Sequence, residues 1–221
     1  MKRIGIDVNG VLRDTIGKFD HLYEKYLIDG DKDAYLGQTF ELDLSGNTEL
    51  LDVSVNNFEY KKISEVTSLN LIDHYSFSNN EELFNFMYEE YPMELFGHAP
   101  STEMTSFNIL NDLYFELRDE YELLIVSNEL GRSKPSTLFF LSKFGCLLEK
   151  VSFFSEITKE NMWNQVDILL TANPDLLLEK PNGKIVVKYN TPYNKHINSE
   201  LEISSLSEFD TIIKNLKENV I

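Results

Sequence analysis

The chain has 221 residues, 42% hydrophobic and 12% aromatic, with 37 Asp and Glu against 20 Lys and Arg for a formal net charge of −17. That content builds a packed core and excludes disorder, and the charge disfavours nucleic-acid polymers and anionic membranes as partners. No apolar run approaches the roughly 20 residues of a membrane-spanning helix, and one cysteine, Cys146, excludes an intrachain disulfide and a cysteine-based metal site.

Met1-Lys2-Arg3 leads into a strand pattern and not an apolar leader, so a soluble, cytoplasmic protein is expected. In that strand Ile4 and Ile6 precede Asp7, where the strand should end, and Gly10 allows a sharp turn beyond it. Asp14 is placed to cap or brace the first helix. From residue 16 to 101 the character changes to helical patches, such as Glu81–Tyr91, separated by polar loops. This stretch reads as a mainly helical insertion folded as a cap over the sheet edge, with Gly97–Ser101 and its Pro100 as the return hinge.

Glu122–Ser127 is continuously apolar at its centre and reads as a buried strand. Lys134–Phe144 reads as a helix beginning near Pro135 and stopped by Gly145. Val151–Phe154 and Asp167–Leu170 are short strands flanking the amphipathic stretch Thr158–Val166. Gly183 turns the chain into a further strand, Lys184–Lys188, and Ser207 is placed to cap a last helix, Glu208–Asn219. Alternating β and α elements predict an α/β fold with a parallel doubly wound sheet of about five strands. The core would comprise 1–15 and 102–221, and the cap 16–101.

The four histidines, His21, His74, His98 and His196, show no metal-ligand spacing, and no Ser/His/Asp or Cys/His hydrolase pattern stands out. Cys146 reads as a small buried residue. The aromatic residues Phe84, Phe86, Tyr88, Tyr91 and Phe96 either stack a base or form the core of the cap. High acidity suits a basic protein partner, and a single nucleotide in a local pocket stays open as a ligand.

The run Asp7-Val8-Asn9-Gly10-Val11-Leu12-Arg13-Asp14-Thr15 resembles the first motif of the haloacid dehalogenase (HAD) superfamily, Asp-x-Asp-Gly-x-Leu-x-Asp-Ser/Thr. Further along, Leu123-Leu124-Ile125-Val126-Ser127-Asn128 is similar to the second motif, and Ser133-Lys134-Pro135-Ser136-Thr137 to the loop-to-helix step after it. Ser152–Asn161 carries Lys159 about where the family's phosphate-neutralising lysine belongs. Val166–Pro174 resembles a strand ending in the family's metal-holding Asp pair, here Thr171-Ala172. Val186–Lys195, with Pro192-Tyr193-Asn194, looks like the closing segment of the 5′(3′)-deoxyribonucleotidase branch.

The resemblance implies a Rossmann-like core and an in-line displacement in which Asp7 is the nucleophile. Ser127, Asn128 and Lys159 would bind phosphate. Asp7, the backbone carbonyl at residue 9 and a strand-end acid would hold magnesium. Asn9 stands at the general acid/base position, and an amide can neither give nor take the proton a carboxylate would. With the strand acids also replaced, the expectation is a nucleotidase-like protein that has lost efficient phosphatase activity. It would serve a binding or assembly role, with vestigial affinity for phosphate or nucleotide. A bacteriophage source would suit such a chain, in the host cytoplasm or the virion. The alternative is a working magnesium-dependent phosphomonoesterase in which Asp175 replaces the missing metal acid, with Glu129 a weaker substitute. Lys159 is equally read as a solvated lysine, and Ser127 as a structural strand-end serine.

Overall fold

The computed structural model describes residues 1–30 and 58–218. Its sheet has six strands, β1 (Lys2–Asp7), β2 (Tyr121–Asn128), β3 (Val151–Phe154), β4 (Ile168–Thr171), β5 (Ile185–Tyr189) and β6 (Glu202–Ile203). They lie in the order β3-β2-β1-β4-β5-β6, with every neighbouring pair parallel. The chain therefore lays β2 and β3 on one side of β1, then crosses back to add β4, β5 and β6 on the other. In open α/β sheets the crevice at the carboxyl ends of the strands around such a reversal, here β2, β1 and β4, is the usual location of ligand sites.

Burial on both faces explains the apolar runs in β2 and β4. One face buries Ile4, Ile6, Leu123, Ile125, Leu170 and Val187 beneath α3 (Ser106–Leu117) and α7 (Phe209–Glu218). The other buries Leu124, Val126, Leu169 and Val186 against Met162 and Trp163 of α5 (Lys159–Trp163) and Leu176 of α6 (Pro174–Leu178). Gly5 faces this second layer, where a Cβ would run into Val166 Cγ1 at 2.6 Å.

A third cluster is built from residues between β1 and α3. It joins Phe19, Leu22 and Tyr23 of α1 (Thr15–Tyr23) to Tyr75, Phe77, Phe86, Leu95 and Phe96. Within this stretch α2 (Asn80–Phe84) runs into a π-helical turn at Asn85–Glu90, and a second such turn spans Met93–Gly97. The aromatic residues at 84–96 split: Phe86 and Phe96 are buried here, Tyr88 and Tyr91 pack against the cluster, and Phe84 is 42% exposed.

The return crossing is pinned beside the turn after β1. Asp14 N donates to Pro100 O at 3.1 Å and Thr102 N to Leu12 O at 3.0 Å, while Thr102 Oγ1 donates to Val11 O at 2.5 Å.

Several sequence expectations are refined. The sixth strand pairs only two residues of β6 with β5, too few to show a pattern in sequence. α4 (Ser133–Lys143) begins before Pro135, and Gly145 follows it at φ +68°. The stretch at Thr158–Val166 is helical only over Lys159–Trp163, after a 3₁₀ turn at Glu156–Thr158. The cap near the last helix is Ser205, not Ser207: Ser205 N donates to Glu208 Oε1 at 2.8 Å, closing a reciprocal capping box around the turn at Leu206–Glu208. Asn219, the expected last residue of that helix, lies outside the described residues. Cys146 is half-buried, because it sits just past α4 at the margin of the core.

Candidate functional site

Parallel pairing brings the ends of β1, β2 and β4 together. Asp7 pairs in register with Val126, so Asp7 and Ser127 end neighbouring strands. Gly10 then turns the chain at φ +78°, and any Cβ there would collide with the Tyr193 hydroxyl and sit 2.8 Å from Ala172 Cβ. Glycine is required at this position by conformation and by space. Asp14 caps α1 as expected, its Oδ1 accepting from Gly17 N at 2.9 Å.

Asp7 is only 2% exposed. Thr171 Oγ1 donates to its Oδ2 at 2.7 Å, and Asn9 N donates to its Oδ1 at 3.3 Å. Burial outweighs those two bonds, and the nearby Glu129 adds to it, pushing the carboxyl up to about 7. Asp7 therefore holds its proton to a much higher pH than an ordinary aspartate does.

Asn9 is held from several sides. Its Oδ1 accepts from Arg13 Nη2 at 2.7 Å and from Thr15 Oγ1 at 2.8 Å. Its Nδ2 points at Ser127 Oγ, 3.4 Å away, and at the Asn128 carbonyl, 3.5 Å away. An amide fits this slot because it accepts on one side and donates on the other. A carboxylate would set an oxygen against the Asn128 carbonyl. Ser127 is fully buried, and its hydroxyl donates to Glu129 Oε1 at 2.9 Å.

Of the residues singled out in the sequence, Asp7, Asn9, Ser127 and Asn128 converge. Lys159 has its ammonium bound by Glu156 at 2.9 Å and by Glu179, and those two bonds, Glu179 first, raise its affinity for the proton. Asp175 is exposed in the first turn of α6, where its N–H donates to Asn173 Oδ1 at 2.9 Å. It is not among the hydrogen-bond partners of Asp7. Tyr193 and Asn194 are buried braces: Asn194 Nδ2 donates to Ala172 O at 2.9 Å and Tyr189 O at 2.8 Å, tying the end of β4 to the end of β5.

Two residues fill the ends of β1 and β2 in a role that sequence reading does not give them: Arg13, quoted there only as part of the first motif, and Glu129, weighed there only as a weaker substitute for the metal acid. Arg13 and Glu129 are 0% and 1% exposed and paired at 2.5 Å, with Thr137 Oγ1 donating to the same carboxylate at 2.7 Å. Their signal is opposite charge at the ends of adjacent strands, Arg13 in an apolar turn and Glu129 directly after β2.

Magnesium, which the resemblance implies, needs a near-octahedral shell of hard oxygens, normally with carboxylates. At the end of β4 this chain offers a hydroxyl already donating to Asp7, and a methyl at Ala172. Glu129 is committed to Arg13. Among the described residues no group of three or more His, Cys, Asp or Glu side chains is placed to hold a metal ion. The residues present do not fit the ion.

Fold and crevice together define an α/β protein with an all-parallel sheet and a polar site at its switch point. The chain matches no model of a known protein family, and no curated protein sequence matches it. Among the described residues no helix is long and apolar enough to cross a membrane.

Proposed function

We propose that the chain is a HAD-like, nucleotidase-derived protein, with residues 16–101 as its cap, that no longer hydrolyses phosphate esters efficiently and serves as a binding or assembly protein. One observation carries this reading. The strand-end carboxylate, Asp7, faces an amide at Asn9 and a hydroxyl at Thr171 where phosphoryl transfer by this route needs two more acids. General acid/base groups contribute about 10²–10⁴-fold, and a metal acid several kcal/mol more. A nucleophile whose pKa is raised by burial adds a smaller handicap in the same direction. Glu129 is no substitute acid, since releasing it would strand a buried guanidinium.

The test is hydrolysis of p-nitrophenyl phosphate and dUMP with saturating magnesium. The parent is expected to match Asp7→Asn at background, and Asn9→Asp is expected to stay there too, because the end of β4 still lacks an acid. Parent turnover that disappears in Asp7→Asn would overturn the proposal and establish a divergent magnesium-dependent phosphomonoesterase. Recovery in Asn9→Asp alone would show that only the proton shuttle had been lost.

A further inference from the structure

Arg13 uses every N–H it has. Nε donates to Thr15 Oγ1 at 3.3 Å, Nη1 to Phe96 O at 2.9 Å and Thr137 Oγ1 at 2.6 Å, and Nη2 to Asn9 Oδ1 at 2.7 Å and Glu129 Oε1 at 2.5 Å. A guanidinium has five such donors, so none is left over. Its central carbon lies over two rings, 5.1 Å from the Phe96 centroid and 5.4 Å from the Phe140 centroid. The hydroxyls that accept from it pass their own protons onward, Thr15 to Asn9 and Thr137 to Glu129. One oxygen, Glu129 Oε2, is buried and has no hydrogen-bond partner among the described residues.

Such a lining selects cations. It presents carboxylate, carbonyl, amide and hydroxyl oxygens, all accepting from the guanidinium, beside two aromatic rings. A phosphate would meet acceptors where it needs donors, beside a buried negative charge. The acceptors also come from separate places: the turn after β1, the loop after β2, helix α4 and, through Phe96, the stretch leading to the return crossing.

We propose that this crevice is a guanidinium-binding site occupied from within, in which Arg13 is an intramolecular ligand that fastens the Phe96 segment to the sheet and keeps anions out. The inference deepens the proposed function and rests on it for taking this crevice as the ancestral substrate site. Its test reads stability and backbone opening, not turnover, so catalysis in the parent would sink the earlier reading without touching these results.

Thermal unfolding of Arg13→Ala is followed with about 20 mM guanidinium chloride, sodium chloride, methylammonium chloride or sodium phosphate, with the parent alongside. The variant is expected to melt roughly 10 °C below the parent. Guanidinium should recover a substantial part of that loss beyond the general screening gain that sodium chloride gives, with no such excess in the parent and none in the variant from methylammonium or phosphate. An unchanged melting temperature, or recovery by phosphate equal to that by guanidinium, would overturn the proposal. So would guanidinium acting no better than sodium chloride.

If Arg13→Ala does not fold, Arg13→Met/Glu129→Leu removes both charges together, a change that buried pairs tolerate. Hydrogen exchange in that variant should quicken about tenfold or more across residues 93–101 while β1 and β2 keep their protection. Unchanged exchange in 93–101 would mean that Arg13 fastens nothing.

Discussion

Asp7 shows how one buried group sets a pH response. Its carboxyl is raised from an ordinary 3.8 to about 7 by burial, against the opposing bonds from Thr171 and Asn9. The folded state therefore binds the proton more tightly than the unfolded chain. Its favourable contribution is complete below about pH 4, falls away as pH rises towards 7 and is gone above that. Asp7→Asn removes the titration while keeping the acceptor for Thr171. The melting temperature of Asp7→Asn minus that of the parent should grow between about pH 4 and 7 and level off beyond. A difference that is flat across that range would show that Asp7 titrates normally. At this scale the sequence was partly legible. Asp7, Asn9 and Ser127 sit together because strand ends in a parallel sheet align, and strand ends can be read from apolar runs. Arg13 could not be found that way, since an arginine is solvated far more often than buried, and only the fold shows that Glu129 comes to meet it. Lys159 was read equally as a phosphate ligand and as a solvated lysine, and nothing local reveals that Glu179, just past a later helix, reaches it along with Glu156.

Elements were legible where their pattern is long or their punctuation strong. β2 declares itself by the unbroken run Leu123–Val126, and α4 by Pro135 and Gly145. What α4 presents inward is not legible from hydrophobicity, because Ser133, Ser136 and Thr137 are buried while Leu138 and Phe139 are 48% and 42% exposed. The inward hydroxyls are used: Thr137 serves Arg13 and Glu129, Ser136 donates to Arg132 O and Ser133 to Leu130 O. The last helix makes a related point, since Ser205 and Ser207 both precede it and only Ser205 has Glu208 at the capping-box spacing. Ser205 Oγ also donates to Glu103 Oε2 at 2.9 Å, linking this turn to the segment before α3. Ser205→Ala should cost about 1 kcal/mol, or roughly 2–4 °C in melting temperature. Ser207→Ala should cost less than half of that, and equal losses would refute the assignment of the cap.

For the whole molecule, the net charge of −17 acts against compaction. Ion pairs such as Lys214 with Asp210 and Lys217 with Glu120 lie on the surface and offset little of it. Salt screens both, but the repulsion involves the larger number of charges. Raising sodium chloride from about 20 mM to 0.5 M should therefore lift the parent's melting temperature by a few degrees. A fall would mean that the surface pairs outweigh the repulsion. A domain's total stability is about 5–15 kcal/mol, and stranding one member of a buried ion pair takes about 3–5 of it. Arg13 and Glu129 are thus bound together in their consequences for folding as well as in space. A change that removes either one alone would leave a poorly folded chain, so the two positions are expected to tolerate replacement only together.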